Sequence, residues 1–321
     1  MPESVMIIGL GQIGMGYDLA LESENAVYTH ARAFATHPAF ELLGAVDPAE
    51  TQRDLFKKFY LKNVFKDISS AFQLQTPNVV VIASPTSEHN SVLKEVLMFS
   101  RPKAILCEKP IAENYLEACE MVEACETAGV KLFVNYMRRA EPGAIKIKMR
   151  IDSGEIPMPI KGVVWYSKGF LHNGSHFFNL LEFWLGPFVA AKVLDEGRLW
   201  DNKDSEPDVQ VEFEGGKVVF ISAWEEAFSH YSIELLSTSG RLTYEQRGER
   251  ISWQSTCPNP SISGYKMLQT VPEMVSNDMI RYQWHVANQL ANALDNKPHT
   301  LCTGMQSLAT LEAMLQISNQ R

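Results

Sequence analysis

The chain is predicted to be an α/β protein in which a doubly wound parallel sheet is followed by an α+β part with a large, open, mainly antiparallel sheet. From residue 4 to about 135, short apolar runs alternate with segments of helical period, as in a parallel sheet. Beyond Pro142, apolar and polar residues alternate over longer segments, as in antiparallel strands. The length of 321 residues exceeds what one core usually serves, so we expect two domains, 1–127 and 128–321.

The first sheet is predicted from its apolar runs in chain order. Its strands are 4–9, 40–46, 64–65, 78–83, 103–107 and 131–135. Run 78–83 is continuously apolar, which indicates a strand buried on both faces. Segments 89–97 and 116–125 carry apolar residues at i, i+3 and i+4 and are predicted helices. Segment 17–28 is longer and more acidic than a first helix needs, so we expect an inserted loop there.

The second part is predicted from its alternating segments. Its strands are 159–166, 209–213, 217–222 and 231–237, and Glu214-Gly215-Gly216 is a hairpin turn signal. Helices are expected near 276–295 and 303–318, with the last helix packing back on the first domain. An open sheet covered by helices on one face leaves the other face for pairing, so we expect a homodimer or homotetramer formed through this sheet.

Bulk properties exclude several classes of protein. The net charge of −9 and the absence of a basic run argue against nucleic-acid binding. No apolar stretch is long enough for a membrane span, and the first residues lack a basic region before their apolar run, so a cytoplasmic protein is expected. The five cysteines are scattered without metal-binding spacing, which indicates reduced structural thiols.

A glycine motif follows the first apolar run. Gly9, Gly11 and Gly14 form a G-x-G-x-x-G, in which the glycines permit a tight turn, close approach of a pyrophosphate and close packing of helix on strand. The residues between them, Leu10, Gln12 and Ile13, offer backbone donors to the same cofactor, at the amino end of the following helix.

An acidic residue closes the second strand. Asp47 would accept hydrogen bonds from ribose hydroxyls and repel a 2′-phosphate. It is followed by Pro48, and no basic residue occurs before Arg53. NAD is therefore favoured over NADP.

A charged pair ends the fifth apolar run. Glu108-Lys109-Pro110 follows 104–107, and the carboxyl ends of parallel strands are where open α/β sheets bind ligands. With the glycine motif and Asp47, this run resembles the Gfo/Idh/MocA family of nicotinamide-dependent sugar and cyclitol oxidoreductases, whose first domain is a Rossmann fold. The resemblance implies that Lys109 is the catalytic lysine and that Glu108 lies on the cofactor side. The alternative is a solvated pair of charges at a strand end.

A loop after the fourth strand completes the predicted cofactor site. Ser84, Pro85, Thr86 and His89 resemble the family's loop beneath the cofactor riboses. The alternative is an ordinary helix cap by Thr86 or Ser87, which is compatible with cofactor binding.

A histidine-containing turn stands in the second part. Segment 168–186 resembles the family's glycine-rich turn, in which His176 matches the family histidine. His172 and Asn179 stand where aspartates are common, so a proton relay of Lys109, His172 and His176 is expected. Zinc binding by the two histidines is disfavoured because Gly174 interrupts a helix and no third ligand is evident, and no metal is expected. As an alternative, His176 packs at a helix start capped by Ser175.

Further substrate contacts are expected beside these groups. The resemblance places Tyr136 and Arg139, with Asn135, on the segment that crosses from one domain to the other. A salt bridge between domains is the alternative for Arg139. Tyr166, Lys168, Asn173 and His176 are the substrate candidates in the second part.

These expectations define one main function and two rivals. The main one is an NAD(H)-dependent oxidoreductase that interconverts a hydroxyl and a keto group on a sugar, nucleotide-linked sugar or cyclitol, in line with members associated with surface-polysaccharide sugars. The first rival is a non-catalytic nicotinamide-binding sensor or regulatory protein of the same fold. The second is a reductase of a tetrapyrrole or imine. A sensor has no chemical need for both Lys109 and His176, which favours the enzyme.

Overall fold

The structure is a computed structural model that describes residues 2–21, 25–223, 228 and 230–318. The chain divides into two compact units: the first contains residues up to Ala140 together with Ile280–Leu311, and the second contains Glu141–Met279 and the chain from Glu312 onward. The predicted boundary after residue 127 falls inside the first unit, because the strand Lys131–Val134 still pairs with the first sheet.

The first unit is built on a predominantly parallel sheet. Its strands are β1 (Glu3–Ile8), β2 (Phe40–Val46), β3 (Asn63–Phe65), β4 (Val79–Ile82), β5 (Ala104–Cys107), β6 (Lys131–Val134) and β16 (Cys302–Thr303). They lie in the order β16-β6-β5-β4-β1-β2-β3, and only the β16–β6 pair is antiparallel. The order from β3 to β6 is that of a Rossmann sheet, with its switch point between β1 and β4. The predicted fold of the first part is confirmed.

Helices connect these strands. They are α1 (His30–Thr36), α2 (Glu50–Tyr60), α3 (Ile68–Leu74), α4 (His89–Phe99), α5 (Tyr115–Ala128) and α8 (Tyr282–Leu294). Asn114 caps α5 by accepting the Glu117 amide, and Gly129 ends it in a left-handed conformation, as the local sequence favours. All residues of β4 and β5 are buried, which confirms strands covered on both faces.

The second unit is built on a mainly antiparallel sheet. Its strands are β7 (Ile160–Tyr166), β8 (Phe188–Trp200), β9 (Asp204–Phe213), β10 (Gly216–Ser222), β11 (Ser232–Ser237), β12 (Gly240–Glu245), β13 (Arg250–Pro258), β14 (Lys266–Leu268) and β15 (Glu273–Val275). The order is β14-β13-β12-β11-β7-β10-β9-β8, with β15 paired to β13, and β7–β10 is parallel. The predicted antiparallel character is confirmed.

One face of this sheet forms the core of the second unit. The helices are α6 (Pro142–Asp152), α7 (Ser175–Leu185) and α9 (Gly304–Ser318), of which α9 is divided between the units after Leu311. Trp184 of α7 is fully buried and its indole donates to the Ala144 carbonyl, 3.0 Å away. On the opposite face Trp165 and Leu236 are exposed, as expected for an open sheet. Within the described residues, no helix is both long and apolar enough to cross a bilayer.

Candidate active site

The glycine motif forms a tight turn between β1 and the chain that follows. Gly9 has φ +97°, and a Cβ there would lie 2.6 Å from the Ala83 carbonyl. A Cβ on Gly14 would lie 2.2 Å from the Gly9 carbonyl oxygen, whereas one on Gly11 would meet nothing within 4 Å. Gly9 and Gly14 are therefore needed for the turn itself, and Gly11 leaves open space for an approaching ligand.

The first helix does not begin at this motif, contrary to expectation. The amides of Met15 and Gly16 donate to the Gly11 carbonyl and close a turn, but α1 begins only at His30. The His30 and Ala31 amides then donate back to the carbonyls of Ile13 and Gly14. The first amides of α1 therefore donate to carbonyl groups of the glycine motif. They do not point into the site as donors for a ligand.

The insertion accounts for this late start. Asp18, fully buried, accepts hydrogen bonds from the Tyr28 amide, the Thr29 amide and the Thr29 hydroxyl at 2.8–3.0 Å. Arg32 donates to the carbonyls of Asp18 and Ala26. The predicted loop 17–28 is thus closed at its base, and its residues 22–24 lie outside the described residues.

Asp47 lies beside the glycine motif at the end of β2, as expected. Its Oδ2 accepts the Leu10 amide and its Oδ1 accepts the Ala49 amide, both at 2.8 Å. The Leu10 amide, which was predicted to donate to the cofactor, donates to Asp47 in this structure. Arg53 donates to the carbonyls of Asp47 and Pro48 at 2.8 and 2.7 Å, so a cation lies closer to Asp47 than the sequence spacing suggested.

The loop after β4 is held by His89. Thr86–Glu88 forms a 3-10 turn and α4 begins at His89; neither has a side-chain cap, so the expected cap by Thr86 or Ser87 is not formed. The Glu88 amide donates instead to the Pro85 carbonyl. The buried His89 ring places Nε2 3.0 Å from the Ser84 carbonyl and Nδ1 3.1 Å from the Ile111 carbonyl. His89 is thus a helix residue that fixes the predicted cofactor loop.

The charged pair follows β5 with different environments for its two members. Lys109 is half-buried, whereas Glu108 is buried and accepts His30 Nε2 at 2.8 Å and Asn135 Nδ2 at 2.6 Å on the same oxygen, Oε1. Burial opposes ionisation of Glu108, but the hydrogen bonds and charge of His30, with Asn135 and Lys109, hold its pKa below the usual range. The alternative of two solvated charges is therefore wrong for Glu108.

Tyr136 and Arg139 lie just beyond β6. Both are buried in the first unit, and Arg139 belongs to the 3-10 turn Met137–Ala140. Burial lowers the pKa of His299, and the charges of Lys131 and Arg139 lower it further. Arg139 therefore contributes positive charge within the first unit.

The histidine turn of the second unit is conformationally strained. Lys168 (φ +64°) and Gly169 (φ +81°) are consecutive left-handed residues, and Gly169–Gly174 forms a π-helical segment. Such strain persists only where the surroundings enforce it. Gly174 is the N-cap of α7, so Ser175 is its first residue rather than its cap, and His176 still lies in the first turn.

Two acidic residues of β9 hold this turn, and the sequence analysis missed both. Asp204 accepts the amides of Leu171 at 3.1 Å and His172 at 2.7 Å, and Glu206 accepts the Gly169 amide at 3.1 Å. Arg198 pairs with Glu206 at 2.7 Å. Burial raises the pKa of Asp204, and the nearby Glu206 charge adds to that increase. The only sequence signal was the pair of acidic residues two positions apart before the predicted strand 209–213.

The side chains of the turn have distinct partners. The exposed His172 ring stacks on Trp200, with centroids 5.1 Å apart and planes at 16°. Asn173 Nδ2 donates to the Tyr231 hydroxyl at 3.0 Å. Tyr166 is fully buried and its hydroxyl donates to the Pro207 carbonyl, so this substrate candidate is a core residue and is not retained. His172 and His176 belong to the second unit and Lys109 to the first.

The environment of the Cys107 thiol disfavours its reactive thiolate form. All five cysteines are free, and burial raises the pKa of Cys107 well above its usual value, so its thiol is protonated. Across the described ranges, no group of three or more His, Cys, Asp or Glu side chains is arranged to hold a metal ion.

Comparisons with known proteins agree with this geometry. Residues 4–136 match the family model described as "Oxidoreductase family, NAD-binding Rossmann fold" (GFO_IDH_MocA). A scyllo-inositol 2-dehydrogenase (NAD(+)) of Bacillus subtilis is 25% identical over 266 residues, which are 74% of this chain and 72% of that protein.

Two solved structures share the fold of nearly the whole chain. One is a putative NADPH-dependent oxidoreductase from Desulfitobacterium hafniense, with TM-score 0.79, 19% identity and coverage of 98% of this chain and 94% of that one. The other is the WlbA dehydrogenase from Bordetella pertussis in complex with NADH and UDP-GlcNAcA, with TM-score 0.75, 18% identity and coverage of 99% and 96%. The family match over residues 4–136 confirms the resemblance of this region to the Gfo/Idh/MocA oxidoreductases, and the two solved structures share the fold.

Proposed function

We propose that the protein is an NAD(H)-dependent oxidoreductase that interconverts a hydroxyl and a keto group on a sugar, a nucleotide-linked sugar or a cyclitol. Lys109 is the proton-transfer group, and His176 orients the reacting hydroxyl. The observation that carries the proposal is the contrast at the end of β5, where Glu108 is occupied by internal donors while Lys109 remains half-buried beside it. Lys109 is therefore the side chain of this pair that is suited to exchange a proton with a substrate.

The first unit fits a dinucleotide. Gly11 borders open space at the switch point of the sheet, and Asp47 stands at the neighbouring strand end, where a carboxylate accepts ribose hydroxyls. His89 fixes the loop that begins at Ser84, on the far side of the same switch point. The cofactor, when bound, supplies the hydride acceptor or donor.

The residues of the chain move the proton and orient the substrate. In the oxidative direction the Lys109 amine accepts the hydroxyl proton as the carbonyl forms, and in the reductive direction the ammonium returns it. Tyr136, Arg139, Lys168 and Asn173 are the remaining proposed substrate contacts. His172 is proposed to assist proton transfer, although its ring stacks on Trp200.

Cofactor choice is the most direct part to test. NAD(H) is expected to bind about tenfold or more tightly than NADP(H), because Asp47 would face the 2′-phosphate. Titration of each nucleotide by calorimetry measures this preference. Arg53→Gln is the informative variant: if Arg53 assists a 2′-phosphate, the variant weakens NADP(H) alone, whereas tighter NADP(H) binding by the native protein would contradict the proposal.

Substrate identity is tested by screening sugars, nucleotide sugars and cyclitols for absorbance change at the reduced-nicotinamide band. Turnover that requires Lys109 supports the enzyme. Saturable ligand binding without turnover of any compound would favour the sensor. A homodimer or homotetramer formed through the open sheet and a cytoplasmic location complete the proposal, and sedimentation equilibrium measures the first of these.

A further inference from the structure

A buried polar cluster lies at the carboxyl ends of β5 and β6. It consists of His30, Glu108, Asn135 and Gln283, which are 1%, 9%, 3% and 1% exposed. They come from the start of α1, the ends of β5 and β6, and α8. Burial of polar side chains is unfavourable unless hydrogen bonds compensate it. The proposed function uses Glu108 but gives no part to His30 or Gln283.

Glu108 joins the members of this cluster to Lys109. Its Oε1 accepts both His30 Nε2 and Asn135 Nδ2, at 2.8 and 2.6 Å. Its Oε2 lies 3.3 Å from the backbone amide of Lys109. The carboxylate thus connects two buried side-chain donors to the backbone of the proposed proton-transfer residue.

The two donors are themselves fixed. Asn135 Nδ2 also lies 3.2 Å from Gln283 Oε1, and the Asn135 amide donates to the Cys107 carbonyl at 2.8 Å. The His30 amide donates to the Ile13 carbonyl, and the His30 ring stacks on Phe34. Each donor thus has contacts other than Glu108 that favour its observed position.

The charges around Glu108 belong to few groups. His30 and Lys109 favour its ionised form. Cys107 and Tyr282 also interact with Glu108, but burial raises the pKa of both, so both are uncharged near neutral pH. The His30 bond is therefore a main reason why a carboxylate in this buried position stays ionised.

We propose that His30 is a positioning residue for Lys109: its Nε2–H bond keeps Glu108 a carboxylate, which contacts the Lys109 backbone amide and favours the charged form of the adjacent Lys109 side chain. This inference rests on the proposed function only for the use made of the Lys109 proton. It assigns His30 no contact with substrate.

The test is the titration of the Lys109 amine, measured by competitive labelling with a small acylating reagent across pH, followed by peptide mass spectrometry. In His30→Leu the buried Glu108 loses a donor and takes up a proton, so Lys109 loses a neighbouring negative charge. Its titration midpoint should fall by about half to one pH unit. Glu108→Gln removes the same charge directly and should lower the midpoint by a similar amount.

A rescue variant and a control separate this role from a general structural one. His30→Gln keeps an N–H donor and should leave the midpoint near that of the native protein. His37→Leu removes another buried histidine, which packs on Phe40 and Trp284, and should leave the midpoint unchanged. The double variant His30→Leu with Glu108→Gln should lower the midpoint no further than either single change, because both act through one charge.

Four outcomes would overturn the inference: an unchanged midpoint in His30→Leu, an unchanged midpoint in Glu108→Gln, a fall in His30→Gln as large as in His30→Leu, or additive falls in the double variant. Circular dichroism of each variant checks the fold, and if His30→Leu does not fold, Glu108→Gln and His30→Gln decide. The labelling requires neither substrate nor turnover. A protein that shows these shifts but oxidises no sugar would therefore contradict the proposed function alone.

Discussion

Glu108 at the end of β5 and Asp204 at the start of β9 both hold a candidate site residue by its backbone amide, but they do so under different electrostatic conditions. Glu108 accepts side-chain donors from His30 and Asn135, and these keep its pKa low despite burial. Asp204 accepts backbone amides and lies near the Glu206 carboxylate, and its pKa is raised. A charged partner lets the first carboxylate remain ionised, whereas backbone dipoles do not fully offset burial and like charge for the second.

The comparison also separates two ways of building a site. In the first unit, parallel strands bring their carboxyl ends to one edge, so residues far apart in sequence meet through topology. In the second unit, the strained turn 168–174 is held by acidic side chains from β9, at the end of a long hairpin. The first arrangement follows from the order of strands, and the second depends on individual side-chain contacts.

The largest expected effect on turnover comes from substitution of Lys109, at the end of β5. Lys109→Met should lower turnover by roughly two to four powers of ten, the range for loss of a general acid-base group, while NAD(H) affinity stays nearly intact. Steady-state kinetics and calorimetry measure the two quantities. Lys103→Met is the control, since Lys103 is exposed and paired with Glu3 near the other end of β5. If Lys109→Met retains the turnover of the native protein, Lys109 is not the proton-transfer group and is only a charged residue at the end of a strand.

Substitutions in the histidine turn should lower turnover less, and the two histidines should differ in their effect on substrate binding. His176→Asn should impair both substrate binding and turnover, with turnover about a hundredfold lower because the reacting hydroxyl loses its orientation. His172→Asn should keep binding and lower turnover about tenfold, with a changed pH profile. If Trp200→Leu lowers turnover as His172→Asn does, the stacking of the His172 ring on Trp200 is needed for full turnover. An unchanged rate and pH profile in His172→Asn would make His172 a packing residue.

A glycine pair tests how tightly Asp204 holds the turn. Gly169 and Gly264 have nearly equal φ values of +81° and +82°, but a Cβ would lie 2.1 Å from Asp204 Oδ2 at Gly169 and would meet nothing within 4 Å at Gly264. Gly264→Ala should therefore cost about 1 kcal/mol of unfolding free energy from backbone strain alone. Gly169→Ala should cost about 2–4 kcal/mol. Urea denaturation measures both, and equal losses would mean that the Asp204 contact is loose.

The two carboxylates should respond to acid in opposite directions. Because the pKa of Glu108 is lowered by folding, its stabilising contribution is present above its unfolded value of about 4.3 and is lost as pH falls through the folded value. Because the pKa of Asp204 is raised, folding is favoured as pH falls from its folded value towards its unfolded value of about 3.9.

Relative to Glu108→Gln, the native protein should thus lose stability as the pH falls below about 4.3. Relative to Asp204→Asn, it should gain stability as the pH falls towards about 3.9. Denaturation at several pH values measures both differences. Differences of the same sign would show that the environments of the two carboxylates are alike.

Much of the first unit could be predicted because its signals are local. Continuous apolar runs specified β4 and β5, apolar residues at i, i+3 and i+4 indicated α5, and the glycine motif fixed the turn after β1. The second unit was predicted less fully. Strand β8 is mostly exposed and therefore lacks a clear hydrophobic alternation, and β9 begins with the polar residues that hold the turn.

The sequence by itself determined the fold class, the turn of Gly9 and Gly14, and the placement of Asp47 and Lys109 at strand ends, because each follows from local pattern and from the geometry of parallel strands. Only the tertiary structure decided that α1 begins at His30, that Tyr166 is a core residue, and that His30 and Asp204 brace the candidate residues. The contacts of Tyr166, His30 and Asp204 join partners separated by 32 to 78 positions in the chain. No local pattern encodes which buried donor meets which buried acceptor, since that match is fixed only when the segments pack.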